Sequence, residues 1–290
     1  MYSQIDANKR KTRILIAIFL AFVIGIGVVF EQMGYGYESI IIAVVVSSVM
    51  SLVSYYHSDK LALHASGAKE IHKEDNAYVY RMVENLTMSV GMPMPKVHII
   101  DSPALNAFAT GRDPEHASIA ITTGLIAALQ NEELEGVIAH ELSHIQNYDI
   151  RVMTVVVVLV GTIALLSDWF FRIRIFGGEE KKEGGSPIFM IIGIVLLILS
   201  PIIAELIKLA VSRKREFLAD ASGALMTRYP EGLARALEKI AASSEPLATA
   251  NSATAHLFIS NPFKGSKAKS LFSTHPPIEE RVAKLRNIVS

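Results

Sequence analysis

Two histidines four positions apart, with a glutamate directly after the first, are the residues of this sequence best suited to chemistry. They are His140, Glu141 and His144, in the order His-Glu-x-x-His. On a helix of about 3.6 residues per turn, both imidazoles project from one face and can bind one tetrahedral zinc ion. Glu141 would then lie beside a metal-bound water and could accept its proton. The motif therefore predicts metal-dependent hydrolysis of peptide bonds.

A catalytic zinc ion keeps three protein ligands and one open position, so a third ligand must lie elsewhere in the chain. The chain has no cysteine, which leaves His, Asp and Glu as ligands. Glu216 is the candidate, and Asp220, one helical turn further on, is expected to orient His140. A charged surface helix is the alternative interpretation of this pair. His275 and Asp220 are the rivals for the third position.

His275 lies in a turn-like Thr-His-Pro-Pro sequence. One hypothesis is that it donates a hydrogen bond to the developing oxyanion during peptide cleavage. The alternative is a structural or exposed loop histidine.

Further segments extend the pattern beyond the motif: Asn106-Ala107-Phe108-Ala109-Thr110-Gly111, then Asn147 and Asp149, Arg213 to Asp220, and Ser273-Thr274-His275-Pro276. With these, nearly the whole chain resembles the HtpX-type membrane metalloproteases, relatives of the CAAX prenyl endopeptidases among the glutamate-ligand zincins. The resemblance implies one zinc ion per chain, held by His140, His144 and Glu216, with Glu141 as catalytic base. It also implies a stress-response protease, facing the cytoplasm, that degrades misfolded or damaged membrane proteins.

The motif needs a helix and a sheet to position it. Asn131 fits an N-cap, and the acidic residues after it suit the positive end of a helix dipole, so a helix is predicted from there through His144. Glu70 to Val90 carries apolar residues at helical spacing, with Gly91 as its stop. Three β-rich runs predict a small sheet: Lys96 to Ile100, Asn106 to Thr110 and Ser118 to Thr122.

The strand predicted over Asn106 to Thr110 has two interpretations. It is either an edge strand that offers main-chain hydrogen bonds to an extended substrate, or a buried structural strand. The elements together predict a mainly α fold with a small β-sheet. Transmembrane helices would join a zincin-like metallopeptidase domain.

Hydrophobic residues make up 51% of the 290, more than an ordinary soluble enzyme contains. The runs Ile14 to Phe30 and Ile40 to Tyr56 are long enough for a transmembrane hairpin. Val152 to Leu166 and Ile188 to Ile203 suggest a second one. The chain is thereby divided into a transmembrane hairpin (1–57), a first protease segment with the motif helix (58–151), a second apolar hairpin (152–207) and a second protease segment with the third ligand (208–290).

Charge predicts the orientation. Lys9, Arg10, Lys11 and Arg13 precede the first run, whereas Glu31 to Ser39 has no basic residue, so the N-terminus is expected in the cytoplasm. A multi-pass protein of the plasma (inner) membrane follows, with its active site on the cytoplasmic side. The expected partners are the lipid bilayer and unfolded or damaged membrane proteins. With 28 basic and 28 acidic residues, no nucleic-acid partner is expected.

Two other functions remain open from the sequence. A prenyl-protein endopeptidase shares the zinc chemistry, but it would use a larger intramembrane chamber, for which four apolar segments are few. A catalytically idle membrane scaffold or chaperone would keep the motif helix for structure alone. Zinc content and cleavage of unfolded casein separate these possibilities.

Overall fold

The computed structural model describes residues 2–32, 36–161, 213–249, 254–263 and 276–288. The helices in these ranges are α1 (Tyr2–Phe30), α2 (Glu38–Ala65), α3 (Ala77–Ser89), α4 (Thr123–Ala128), α5 (Asn131–Gln146), α6 (149–161), α7 (Arg213–Thr227), α8 (Pro230–Ala242) and α9 (Ile278–Arg286). The strands are β1 (Ala68–Glu70), β2 (Lys96–Ile100), β3 (Ala107–Gly111) and β4 (Ala117–Thr122). The prediction of a mainly helical fold with a small sheet is confirmed.

The four strands form one mixed sheet in the order β1-β2-β4-β3. β2 and β4 are parallel, whereas β1 and β3 run antiparallel to their neighbours. A short 3-10 turn, Pro114–His116, joins β3 to β4, and the Asp113 carboxylate accepts a hydrogen bond from the backbone N–H of His116. Gly111 ends β3 with φ of 136°, and a Cβ there would collide with the carbonyl of His116. The tight return therefore requires glycine.

One predicted helix begins later than expected. The apolar spacing from Glu70 predicts a helix, but Glu70 pairs with His98 in β1, and α3 begins only at Ala77. The Asn76 side chain caps α3 by accepting a hydrogen bond from the backbone N–H of Val79, at 3.1 Å. Periodicity alone missed this cap, because the sequence between β1 and α3 is as polar as the exposed face of a helix.

The central helix is α5, which packs against β3, α7 and α8. Most residues of α5 are buried, including the polar residues of the motif. Two glycines allow the close packing: a Cβ on Gly136 would lie 2.7 Å from the backbone N of Leu233, and one on Gly223 would lie 3.0 Å from the backbone N of His140. The backbones of α7 and α8 can therefore pack directly against the backbone of α5.

Of the described residues, one helical stretch is long and apolar enough to cross a membrane, Ile40–His57 in α2, with a mean hydropathy of 1.8. Many of its large apolar side chains are exposed. The predicted first run lies within α1, which packs on α2. α2 continues to Ala65, past the boundary predicted at residue 57. Most of the predicted second hairpin, from residue 162 on, lies outside the described residues.

Candidate metal centre

The motif helix is held at its first turn by a buried carboxylate. Glu133 accepts a hydrogen bond from the backbone N–H of Gln130, at 2.8 Å, and contacts the ammonium of Lys239 at 2.6 Å. The helix begins at Asn131, and Gln130 is its N-cap, one residue before the predicted one. This anchoring sets the direction in which α5 presents its histidines.

His140, His144 and Glu216 converge on one point. Their ligand atoms all lie within 4.8 Å of one another, and all three residues are buried. The two Nε2 atoms are 3.2 Å apart, Glu216 Oε1 is 3.6 Å from His144 Nε2, and Glu216 Oε2 is 3.8 Å from His140 Nε2. Donors around a tetrahedral zinc ion are separated by about 3.3 Å, given metal–ligand bonds of about 2.0–2.1 Å. The three residues therefore fit one zinc ion with small adjustments.

Each histidine turns its other ring nitrogen to a carboxylate. His140 Nδ1 lies 3.0 Å from Asp220 Oδ1, the partner that the sequence predicts. His144 Nδ1 lies 3.1 Å from Asp149 Oδ2. A carboxylate on Nδ1 fixes the tautomer that leaves Nε2 free for metal and raises its basicity. Both imidazoles are thus oriented as ligands.

Residues 73–289 match the model of the family described as Peptidase family M48. The chain belongs to peptidase family M48. A protein named Protease HtpX homolog from Tropheryma whipplei (strain Twist) is 45% identical over 288 residues, covering 99% of this chain and 98% of the relative. Another of that name, from Dictyoglomus turgidum, is 44% identical over 287 residues, covering 98% and 94%.

The crystal structure of S. mikatae Ste24p has the same fold, with a TM-score of 0.52 over 98% of this chain and 67% of that one, at 19% identity. The sequence relatives therefore identify an HtpX-type metalloprotease, as the motifs predict. The structural neighbour supports the fold.

In this M48 peptidase, Glu141 is buried on α5. In sequence it lies between the two histidines. Burial raises the pKa of Glu141 above its usual range, although the charges of His140 and His144 oppose that shift. A carboxylate with a raised pKa is a better proton acceptor at neutral pH. Its placement and basicity suit a general base.

Two carboxylates, Asp149 and Glu216, raise the basicity of His144. Burial lowers the pKa of His144, but the hydrogen bond to Asp149 and the negative charge of Glu216 outweigh it and raise the pKa to about 9. A metal ion must displace that proton before it binds.

Arg281 is a site residue that the sequence gives no reason to choose. It lies on α9, is 0% exposed, and donates two hydrogen bonds to Asp220, at 2.9 Å from Nε and 2.6 Å from Nη2. Burial raises the pKa of Asp220, but the charge of Arg281 and the hydrogen bonds from His140 and Arg281 hold it well below its usual range. Asp220 therefore stays ionised behind His140. The sequence neighbours of Arg281 are charged, as in an exposed helix. The local sequence pattern therefore does not indicate that Arg281 is buried.

β3 is an edge strand of the sheet and is also buried throughout. The segment 254–263 covers part of its outer edge, where the backbone N–H of Ile259 donates to the carbonyl of Ala107 at 3.0 Å. Phe258 packs edge-on against Phe108, with ring centroids 5.0 Å apart. The strand is therefore both buried and at the edge of the sheet, and its pairing with an extended substrate stays a prediction. His275 lies outside the described residues, so its role stays a prediction.

Proposed function

We propose that this M48 peptidase is a membrane-anchored zinc endopeptidase that cleaves misfolded or damaged membrane proteins at the cytoplasmic face. One observation carries the zinc chemistry: His140, His144 and Glu216 present three ligand atoms to one buried point, with Glu141 on the same helix. Three protein ligands with a fourth coordination position left open are typical of catalytic zinc sites.

Zinc in this site would supply a Lewis acid for the scissile carbonyl and would lower the pKa of water to roughly 7. Glu141 accepts the proton of the attacking water and then delivers it to the leaving amine. Asp220 and Asp149 keep the two imidazoles in the tautomer that presents Nε2. The exclusion of solvent around these buried groups strengthens each electrostatic interaction.

The exposed apolar surface of α2 supports the membrane anchor. Its large side chains are exposed over most of the stretch Ile40–His57, among them Ile41, Ile42, Val45, Val49 and Leu52. Burying such a surface in lipid is favourable, whereas exposing it to water is costly. The basic cluster before the first apolar run supports a cytoplasmic N-terminus. A protease held there would meet membrane proteins whose cytoplasmic segments have lost their fold.

The decisive experiment uses the full chain in detergent and compares wild type with Glu141→Gln. Both should bind one zinc ion, measured by elemental analysis. Wild type should cleave unfolded casein and a membrane protein with an unfolded cytoplasmic segment, whereas Glu141→Gln should lose at least about 10²–10⁴-fold in rate. The mutant should also purify with less self-cleavage.

The outcomes separate the alternatives. Wild type without stoichiometric zinc would overturn the proposal and favour an idle scaffold. Cleavage of a prenylated C-terminal peptide, with unfolded proteins left intact, would favour a prenyl-protein endopeptidase. Near-wild-type turnover by Glu141→Gln would refute the assignment of the base.

A further inference from the structure

The N-terminal helix reaches the metal centre through a buried asparagine. Asn8 of α1 is 1% exposed, and its amide Nδ2 donates to Asp149 Oδ1 at 2.7 Å and to the backbone carbonyl of Asn147 at 2.9 Å. The other carboxylate oxygen of Asp149 lies 3.1 Å from His144 Nδ1. A continuous chain of contacts therefore runs from α1 through one carboxylate to a metal ligand.

The Asn8 amide supplies the short hydrogen bond to the second carboxylate oxygen of Asp149. Its side chain is 1% exposed, and a buried carboxylate is stable only when its oxygens are hydrogen-bonded or paired with charge. His144 uses Oδ2, which leaves Oδ1 for the amide of Asn8, while Arg215 Nη1 lies further off, at 3.7 Å. The amide hydrogen bond to a charged oxygen also fixes the rotation of the carboxylate.

Asn8 lies on the buried face of α1. It begins a face of α1 whose members recur at helical spacing and are all buried: Asn8, Thr12, Leu15, Phe19 and Val23. The same helix packs on α2, which contains the candidate membrane span. The donor is therefore presented by the helix that leads into the first apolar run.

We propose that Asn8 is a positioning residue of the metal site, which orients His144 through Asp149. The inference rests on the proposed function, because it assigns Asn8 a role toward the zinc ion. It makes the N-terminal helix part of the catalytic unit as well as an anchor. The competing role is a structural one, in which Asn8 only fastens α1 to the protease domain.

The test compares Asn8→Leu with a matched control, Thr12→Val, in the full chain in detergent. Leucine has a similar size and no donor. Thr12 is buried one turn further on, and among the residues that the structure describes its hydroxyl donates to the backbone carbonyl of Asn8, at 3.0 Å. Zinc affinity is measured by competition with a chelator, and ligand geometry by the visible spectrum of the Co²⁺-loaded protein. Asn8→Leu should bind zinc about 10-fold more weakly and alter the cobalt spectrum, since partners behind ligand histidines typically contribute 10–100-fold. Thr12→Val should stay within about 2-fold of wild type, because it leaves the Asp149 carboxylate untouched.

A double-mutant cycle tests whether Asn8 acts on His144 through Asp149. In an Asp149→Asn background, Asn8→Leu should cost no further zinc affinity, because the carboxylate that it positions is gone. A merely structural loss would persist in both backgrounds and would overturn the inference, as would a folded Asn8→Leu with wild-type affinity and spectrum. Should Asn8→Leu not fold, Asn8→Ala is carried through the same measurements. Wild type that binds neither Zn²⁺ nor Co²⁺ would instead refute the proposed function.

Discussion

Removing the guanidinium of Arg281 should have two separate effects. It should lower the stability of the protein, and it should weaken the binding of zinc. Arg281 and Asp220 are both buried and share two hydrogen bonds. Breaking a buried ion pair by removing one partner costs about 3–5 kcal/mol. Without Arg281, the Asp220 carboxylate would stay buried with its contact to His140 but without the guanidinium. For a domain of about 150–250 residues, each kcal/mol lowers the Tm by about 2–4 °C. Arg281→Met should therefore lower the Tm of the metal-free protein by about 6–20 °C, measured by circular dichroism.

The pH dependence of this loss follows from Asp220. Its folded-state pKa is held below the unfolded value of about 3.9, so the pair contributes stability above that pH. The contribution is lost as the pH falls through the folded-state pKa. The Tm difference between wild type and Arg281→Met should thus be full at neutral pH and shrink in acid.

A double variant separates the two effects of Arg281. Arg281→Met with Asp220→Asn removes both charges, so most of the lost stability should return. Zinc affinity should stay about 10–100-fold below wild type, because no carboxylate orients His140. An unchanged Tm in Arg281→Met would refute the energetic reasoning. Full zinc affinity in the double variant would refute the role of Asp220.

Three further predictions address the third ligand, the helix packing and the topology. Glu216→Ala should lose zinc during purification, whereas His275→Ala should keep zinc and lose some rate; the reverse pattern in elemental analysis would show that the third ligand is wrongly chosen. Gly223→Ala should weaken zinc binding several-fold in a chelator competition, because the added Cβ would lie 3.0 Å from the backbone N of His140 and push α7 away from α5; wild-type affinity would show that α7 can shift freely. Reporter fusions at Ser58 and Ser290 should both report the cytoplasm, since opposite sides would prevent the two halves of the site from meeting.

The motif helix and most of the sheet could be predicted because their signals are local. The histidine spacing matches one helical face, and β2 has the predicted bounds, Lys96–Ile100. The predicted strand over Asn106 to Thr110 is shifted by one residue, and β4 begins one residue earlier than predicted. Local alternation locates a strand well but fixes its ends poorly.

The partners behind the metal ligands could not be predicted from local pattern. Arg281 lies 61 residues beyond Asp220, and Asn8 lies 141 residues before Asp149. In the sequence, Asn8 precedes a basic cluster and Arg281 follows two glutamates, so both resemble solvent-exposed positions. Only the packing of α1 and α9 against the domain reveals that they are buried.

The distance in sequence between Arg281 and the metal ligands also sets the order in which these residues are made during synthesis. Arg281 is made 65 residues after Glu216. At about 5–20 residues per second, the ribosome needs roughly 3–13 s to cover that distance. Over that interval the Asp220 carboxylate lacks the guanidinium of Arg281, to which it is bound in the folded chain. The metal ligands are therefore all made before the arginine that neutralises the carboxylate behind His140.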